Sequence, residues 1–249
     1  MITRNEIRLI KSLAEKKNRR REGLFVAEGP KVVGDLMERM KPAAVFATHQ
    51  WRELRHCEAR EISDDELRRA SLLQHPQQVI ALFPLPHETR PEMPPTDELS
   101  LALDGVQDPG NLGTIIRLAD WFGIRHIYCS PDTADAYNPK VVQATMGSLA
   151  RVNIIYIILE EMMAGYGGEI YGTFLDGDDI YQTSLGSGGL IVMGNEGNGI
   201  SREVASRVTR RLLIPRFHAE ADRAESLNVA IATAITCSEF RRQFSVKKS

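Results

Sequence analysis

The sequence is poor in cysteine, in metal-ligand patterns and in long apolar runs. Its three cysteines, Cys57, Cys129 and Cys237, have no paired spacing, so neither a disulfide framework nor a zinc cluster is supported. The six histidines form no metal-ligand pattern, and we expect no metal. No apolar run approaches the roughly 20 residues that a membrane-spanning helix needs, and the charged N-terminus is unlike a signal peptide. These absences argue against a membrane protein and predict a cytoplasmic one.

The net charge is small, but the cationic side chains are unevenly distributed. The sequence has 31 Lys and Arg against 33 Asp and Glu, which argues against a protein coated in nucleic-acid-binding surface. The first 22 residues nevertheless hold eight cationic side chains against three acidic ones. Taken alone, such a run is more often a solvated helix face than a binding surface. Both interpretations stay open at this point.

A proline-rich stretch divides the chain. Residues 84–98 hold five prolines among polar side chains, a composition that builds neither a helix nor a central strand. We therefore predict a linker over 85–98. Before it, alternating short strands and helices over 1–84 predict a small α/β domain. After it, over 99–249, apolar strands alternate with helix-length segments, which predicts a mostly parallel sheet with helices on both faces.

Three strand ends in the second half carry small and polar residues, in the place where open α/β sheets bind ligands. The first has an Asp-Pro-Gly turn, then Asn111 and, on the next helix, Arg117. The second is the glycine-rich segment 194–199. The third comprises Ile214, Pro215, a polar stretch, and then Ser226, Leu227 and Asn228.

Each of these segments also has a purely structural interpretation. Asn111, Ser226 or Asn228 could cap a helix, Arg117 could be a solvated helix residue, and 194–199 could be an ordinary turn. A phosphate loop is excluded, because neither Gly-x-x-x-x-Gly-Lys-Ser/Thr nor Gly-x-Gly-x-x-Gly is present at these strand ends. Glu196 inside the second segment would also suit a polyphosphate poorly. A nucleotide-binding dehydrogenase therefore lacks its fingerprint.

Taken together, residues 99–243 resemble the SpoU/TrmH class of SPOUT RNA methyltransferases. The matches are Asn111 with Arg117, the Gly-Asn-Glu-Gly of 194–197, and the Ser-Leu-Asn of 226–228, and the stretch 137–148 is also similar. The resemblance implies methylation of a ribose 2′-hydroxyl in structured RNA by S-adenosylmethionine, with rRNA favoured over tRNA. It further implies a homodimer and a parallel sheet with a deep trefoil knot in its C-terminal part, a feature otherwise almost absent from proteins.

The resemblance also implies residue roles. The cofactor residues would be Gly194, Asn195, Ile214, Pro215 and Leu227, and the catalytic residues would be Arg117, Asn111, Glu196, Ser226 and Asn228. Lowering an arginine pKa from about 13 to about 8 would cost roughly 7 kcal/mol, so we favour Arg117 as an anchor for the ribose or its phosphate that assists deprotonation. The sequence departs from the family pattern after Pro215, where Arg216 opens a longer stretch through Ala224.

The first 84 residues resemble the RNA-binding domain of rRNA-modifying family members, which is similar to a small ribosomal protein. The signature lies over 13–29 and includes Lys17, Arg19, Arg20 and Arg21. In that context we expect these four side chains to contact RNA phosphates, which supply affinity and orientation rather than sequence reading. The main alternative is a non-enzymatic RNA-binding assembly factor that kept the fold, and the intact catalytic set argues against it.

Overall fold

The computed structural model describes residues 1–55, 58–86, 92–216 and 226–247. The chain forms two compact units, one of Met1–Thr89 with Asp135–Arg151 and one of Arg90–Ala134 with Val152–Ser249. The whole of 99–249 is predicted from the sequence to form one domain, whereas the structure packs Asp135–Arg151 with the N-terminal residues. Among the described residues, no helix is both long enough and apolar enough to span a membrane. A cytoplasmic location stays a prediction.

The first unit is built on a four-stranded sheet in the order β1-β4-β2-β3. β4 pairs antiparallel with β1 and β2, and β2 pairs parallel with β3. The strands are β1 (Leu24–Glu28), β2 (Ala44–Ala47), β3 (Arg60–Glu61) and β4 (Val79–Pro84), and the helices are α1 (Arg4–Ser12), α2 (Lys16–Glu22), α3 (Pro30–Met37), α4 (His49–Arg55) and α5 (Asp64–Ala70). A capping box, Thr3 with Glu6, begins α1 and satisfies amides that the helix leaves unpaired.

Segment 135–151 supplies two further short helices to the first unit, α7 (Pro139–Ala144) and a 3-10 turn (Ser148–Ala150). Tyr137 packs its ring 5.0 Å from that of Phe25 in β1. Gly147 has φ +94°, and a Cβ there would collide with the side chain of Asp35 in α3. The similarity of 146–148 to the family thus includes a glycine that this packing requires.

The second unit contains six strands in the order β10-β8-β9-β5-β6-β7, and every neighbouring pair is parallel. They are β5 (Leu99–Leu103), β6 (His126–Cys129), β7 (Asn153–Tyr156), β8 (Ile170–Asp179), β9 (Gly189–Met193) and β10 (Arg210–Leu213), with helices α6 (Pro109–Trp121), α8 (Leu159–Ala164), α9 (Arg202–Ala205) and α10 (Val229–Lys247). β5 and β9 are buried along their whole length. The predicted parallel sheet is therefore confirmed, while the trefoil knot stays a prediction.

The sheet has a topological switch point between β5 and β9. The chain leaves β5 towards β6 on one side and reaches β9 from β8 on the other. The ends of the two strands are joined by a 2.9 Å hydrogen bond from the Asp104 amide to the Met193 carbonyl. Ligands of open α/β sheets bind at the carboxyl edge beside such a point. The fold thus brings the first two predicted loops together there.

Candidate active site

The loop after β5 is held in a fixed path that leads into α6. Gly105 has φ +70°, its amide donates to Ser130 Oγ at 2.8 Å, and its carbonyl accepts from Asn195 Nδ2 at 2.7 Å. The Asp108 side chain caps α6 by accepting from the Asn111 amide at 2.8 Å. Asp108, not Asn111, is therefore the helix cap, and the capping interpretation of Asn111 is wrong. The Asn111 side chain is left for other contacts.

Asn111 joins the three predicted motifs through its side-chain amide. Its Nδ2 donates to Glu196 Oε1 at 2.9 Å, and its Oδ1 accepts from Asn228 Nδ2 at 2.9 Å. The two partners lie 85 and 117 residues away in the sequence. Both hydrogen bonds are solvent-facing, so a ligand at this edge can reach them. We call these three residues the Asn111 network.

Asn228 serves the fold and the Asn111 network with different atoms. Its Oδ1 accepts from the amides of Ala230 at 2.9 Å and Ile231 at 3.3 Å, at the start of α10. Its Nδ2 makes the bond to Asn111. The capping and the functional interpretations of Asn228 are thus compatible. Ser226 is exposed and forms no hydrogen bond with a described residue, so its catalytic role stays a prediction.

The glycine-rich loop closes tightly on itself. Asn195 and Gly199 exchange two backbone hydrogen bonds of 2.9 and 3.0 Å, and Asn195 Oδ1 accepts from the amides of Gly197 and Asn198. A Cβ on Gly194 would collide with the backbone of Gly199 and Ile200. Gly194 and Asn195 therefore shape this loop and present Glu196 to Asn111, whereas their contact with a cofactor stays a prediction.

The third strand end adds apolar surface. Ile214 and Pro215 are half-buried after β10, and Leu227 is exposed before α10. Small-molecule sites combine apolar walls with a few placed polar groups, and the backbone of the glycine-rich loop supplies such groups beside the Asn111 network. The carboxylate of Glu196 suits a ligand with a positively charged centre better than a polyphosphate. Most of the longer stretch after Arg216, residues 217–225, lies outside the described residues.

Arg117 is not part of the Asn111 network. It is exposed on α6 and forms no hydrogen bond or ion pair with a described residue. A separation of six residues turns a helix by about 600°, so Arg117 lies roughly 120° around α6 from Asn111. It shares its face instead with Trp121, four residues further along. No hydrogen bond joins Arg117 to the Asn111 network in the described part of the chain, and its catalytic role stays a prediction.

One residue at this edge carries a role that sequence reasoning missed. Asp104 is buried directly after β5, and its Oδ2 accepts from the Ser201 amide at 2.7 Å. Ser201 in turn caps α9, so Asp104 ties the end of β5 to the segment that follows the glycine-rich loop. The sequence did contain a signal for this role. Asp104 directly follows a strongly apolar strand, where burial is expected, and an acidic side chain is rarely buried without a partner.

The structure corrects one of the four predicted RNA contacts. Lys17, Arg20 and Arg21 are exposed on α2, but Arg19 is only 2% exposed and is paired with Asp135. A buried guanidinium is not available to a phosphate, so Arg19 is withdrawn from the predicted RNA-contact surface.

No metal or thiol chemistry is indicated in the described part of the chain. No group of three or more His, Cys, Asp or Glu there is placed to hold a metal ion. Cys129 and Cys237 are fully buried, and burial raises the pKa of the Cys237 thiol to about 12. A thiol with so high a pKa is a poor nucleophile near neutrality. Cys57 lies outside the described residues.

A parallel α/β sheet with a polar network at its switch point is the architecture of an α/β enzyme that binds a small ligand at the carboxyl edge of its sheet. The chain belongs to the SpoU rRNA methylase family, whose family model matches residues 98–238. A second family model, the MRM3-like substrate binding domain, matches residues 4–81. The predicted family, the parallel α/β fold with an N-terminal substrate binding domain, and the methyltransferase activity are thereby confirmed.

Solved structures and a curated relative agree with this assignment. A protein from Porphyromonas gingivalis described as an RNA methyltransferase of the TrmH family has 43% identity and a TM-score of 0.87, over 98% of this chain and 99% of its own. A Sinorhizobium meliloti rRNA methyltransferase with bound AdoMet has 31% identity and a TM-score of 0.83, over 97% and 96%. The Bacillus subtilis 23S rRNA (guanosine(2553)-2′-O)-methyltransferase RlmP has 33% identity over 70% of this chain and 68% of its own length.

Proposed function

We propose that the chain transfers a methyl group from S-adenosylmethionine to a ribose 2′-hydroxyl in structured RNA, with rRNA as the substrate favoured over tRNA. The observation that carries the proposal is the Asn111 network, which joins all three motifs at the switch point. The names of the relatives support the same reaction, since RlmP acts on 23S rRNA and the S. meliloti protein binds AdoMet. The test incubates the protein with methyl-labelled donor and with rRNA from cells that lack the gene. The proposal predicts labelled RNA in which one phosphodiester has become resistant to alkali. The absence of labelled RNA would leave the assembly-factor alternative.

The reaction is mainly a positioning task. The 2′-oxygen would form a bond to the methyl carbon while the carbon–sulfur bond of the donor breaks, and the hydroxyl proton would pass to Glu196 Oε2 or to water. When bound, S-adenosylmethionine supplies the methyl group on a positively charged sulfur. Glu196 uses Oε1 to accept from Asn111, and no described residue donates to its Oε2, which faces the ribose hydroxyl in our proposal. Holding the reacting atoms near attack distance contributes a large part of such a rate enhancement.

We assign the cofactor site to the loops beside the Asn111 network. Gly194 would offer backbone groups to the donor. The Asn195 amide is bonded to the Gly199 carbonyl, so Asn195 would offer the second lone pair of its own carbonyl. Ile214, Pro215 and Leu227 would offer apolar surface. These apolar side chains are half-buried or exposed, so their surfaces are accessible to a ligand. This supports the assignment, because the purine ring of the donor needs apolar contacts on its faces. Ser226 would orient the ribose from the same segment.

Arg117 is proposed to anchor the ribose or its phosphate. Its guanidinium is exposed and unpaired among the described residues, and its fork of donors suits a phosphate. Because Arg117 lies on a different face of α6 from Asn111, it reaches a substrate from the side of the surface that carries Trp121.

We propose a homodimer that covers this surface. α6 and α10 pack side by side, with Asn228 bonded to Asn111 at one end and Arg241 Nε bonded to the Phe122 carbonyl at 2.7 Å at the other. On these two helices Trp121 is 84% exposed and Ile231 is 53% exposed. Large apolar side chains in such exposure are typical of a protein interface. A dimer through α6 and α10 would place Arg117 beside the partner.

The first unit is proposed to bind the RNA. Lys17, Arg20 and Arg21 lie exposed on α2, and the match to a substrate binding domain over residues 4–81 supports this role. Phosphate contacts from these cations would orient the RNA while the second unit selects the reacting ribose.

A further inference from the structure

We propose that Arg19 is a positioning residue for methyl transfer: by holding Asp135 it fixes segment 130–138, which supports the loop that leads to Asn111. The inference rests on the proposed function. It assigns a second role to helix α2, separate from the phosphate contacts of Lys17, Arg20 and Arg21.

The Arg19 guanidinium forms its hydrogen bonds with other residues of the first unit. Nη1 donates to the carbonyls of Leu13 at 2.7 Å and Ala14 at 2.9 Å, and Nη2 donates to the Asp135 carboxylate. Burying an ion pair costs desolvation, and an apolar pair of similar size often gives equal or greater stability. Stability alone therefore does not require this pair. Its geometric effect is to hold Asp135 against the α1–α2 turn.

Asp135 organises the turn that follows it. Besides the Arg19 contact through Oδ2, its Oδ1 accepts from the Tyr137 amide at 3.0 Å, and its carbonyl accepts from the Asn138 amide at 2.9 Å. Tyr137 is further held by its ring contact with Phe25. The position of the peptide bond that enters Asp135 is thus fixed by one ion pair, two backbone contacts and one aromatic contact.

Residues 130–134, which directly precede Asp135, are hydrogen-bonded to the end of β5 and to the loop after it. The Ala134 amide donates to the Val106 carbonyl at 2.9 Å, and Thr133 Oγ1 donates to the Leu103 carbonyl at 3.0 Å. Ser130 Oγ accepts from the Gly105 amide at 2.8 Å. The last residue of β5 and two residues of the loop that leads to Asn111 are therefore bonded to residues 130–134.

The loop in turn is bonded to the glycine-rich segment, since the Gly105 carbonyl accepts from Asn195 Nδ2 at 2.7 Å. A displacement of Asp135 is therefore transmitted by the peptide bond to Ala134 and by hydrogen bonds to both loops of the Asn111 network. Methyl transfer is sensitive to such a displacement, because a misplacement of about 1 Å can cost about 100-fold in rate. RNA affinity depends on the exposed cations of α2 and should change little. Donor affinity can change through the glycine-rich loop, so the transfer rate is measured at saturating donor.

The test compares Arg19→Lys and Asp135→Asn with the wild-type full chain. Single-turnover methylation at saturating RNA and donor should fall at least about tenfold in each variant. The dissociation constant for RNA should stay within about twofold of wild type. The double variant should lose no more than the worse single variant, because both changes remove one contact.

Val26→Ala is the matched control. Val26 is buried in β1 of the same unit, so its truncation lowers thermal stability without touching Asp135. The control should keep the wild-type rate at saturation. Three results would each overturn the inference. The first is a rate within about twofold of wild type for both Arg19→Lys and Asp135→Asn. The others are an equal slowing by Val26→Ala and an effect confined to RNA affinity.

Amide hydrogen exchange separates this inference from the proposed function. In the full chain with S-adenosylmethionine added, Arg19→Lys should speed exchange at residues 103–106, and Val26→Ala should not. Wild-type protein that methylates no RNA would defeat the proposed function, while unchanged exchange in Arg19→Lys would defeat the positioning role.

Discussion

Asn228, at the start of the last helix, donates a 2.9 Å hydrogen bond to Asn111, near the start of the first helix of the second unit. Asn228 also caps its own helix through the other atom of its amide. One side chain therefore fixes both the start of α10 and the orientation of the residue that contacts Glu196.

Asn228→Asp should separate these two roles. A carboxylate retains the acceptor for the Ala230 and Ile231 amides but cannot donate to Asn111. We expect thermal stability close to wild type and at least about a tenfold loss of single-turnover rate. Asn228→Ala should lose the rate and also about 1 kcal/mol of stability with the cap. Thermal unfolding beside single-turnover methylation checks both, and a fully active aspartate variant would show that the Asn111 bond is dispensable.

Gly194→Ala should open the glycine-rich loop. The added Cβ would collide with the backbone of Gly199 and Ile200, whereas a Cβ on Gly197 would meet only Asn195 Oδ1 at an ordinary 3.5 Å. We expect Gly194→Ala to weaken donor binding at least about tenfold, equivalent to about 1.4 kcal/mol, and Gly197→Ala to leave the loop closed. Calorimetric titration with S-adenosylmethionine measures this. Equal affinities for the two variants would remove the loop from the proposed cofactor site.

Replacing Lys17, Arg20 and Arg21 together with alanine should weaken RNA binding and flatten its salt dependence. Each lost phosphate contact should reduce the slope of log K against log salt by about 0.7 to 0.9. Donor affinity should not change. Binding isotherms at several salt concentrations test this, and an unchanged slope would make the exposed face of α2 an ordinary solvated surface.

Trp121→Glu should dissociate the proposed homodimer. A carboxylate in an apolar interface is buried without a partner, which strongly disfavours association. Sedimentation should show wild type at twice the mass of the variant, with donor binding retained by both if each cofactor site lies within one chain. Wild type that sediments as a monomer at micromolar concentration would contradict the dimer, and a variant that stays dimeric would place the interface elsewhere.

The fold of the second unit was largely predictable because its signals are local. Apolar runs separated by helix-length segments predict buried parallel strands, and small or polar residues at strand ends predict the ligand edge. The family resemblance indicated which of these residues act together. It indicated the grouping of Asn111, Glu196 and Asn228, whose hydrogen bonds join positions 85 and 117 residues apart.

Other features were not predictable because their causes are remote in sequence. Arg19 lies within a run of cations, and nothing in that run distinguishes a buried side chain from an exposed one. The distinguishing residue, Asp135, is 116 positions away in a segment that packs with the N-terminal unit. Arg117 presents the opposite case. Its motif match implied a catalytic role together with Asn111, which stays a prediction, while the spacing of six residues places it about 120° around α6 from Asn111.

Mapping ribose 2′-O-methylation across the RNA of cells with and without the gene tests the central claim most directly. We predict a methylated ribose, in rRNA, that disappears on deletion, returns with the wild-type gene and does not return with Arg117→Ala. The purified Arg117→Ala protein should still bind S-adenosylmethionine, because its side chain serves transfer rather than donor binding. Identical 2′-O-methylation profiles with and without the gene, or a lost methyl group that proves to be on a base, would contradict the account.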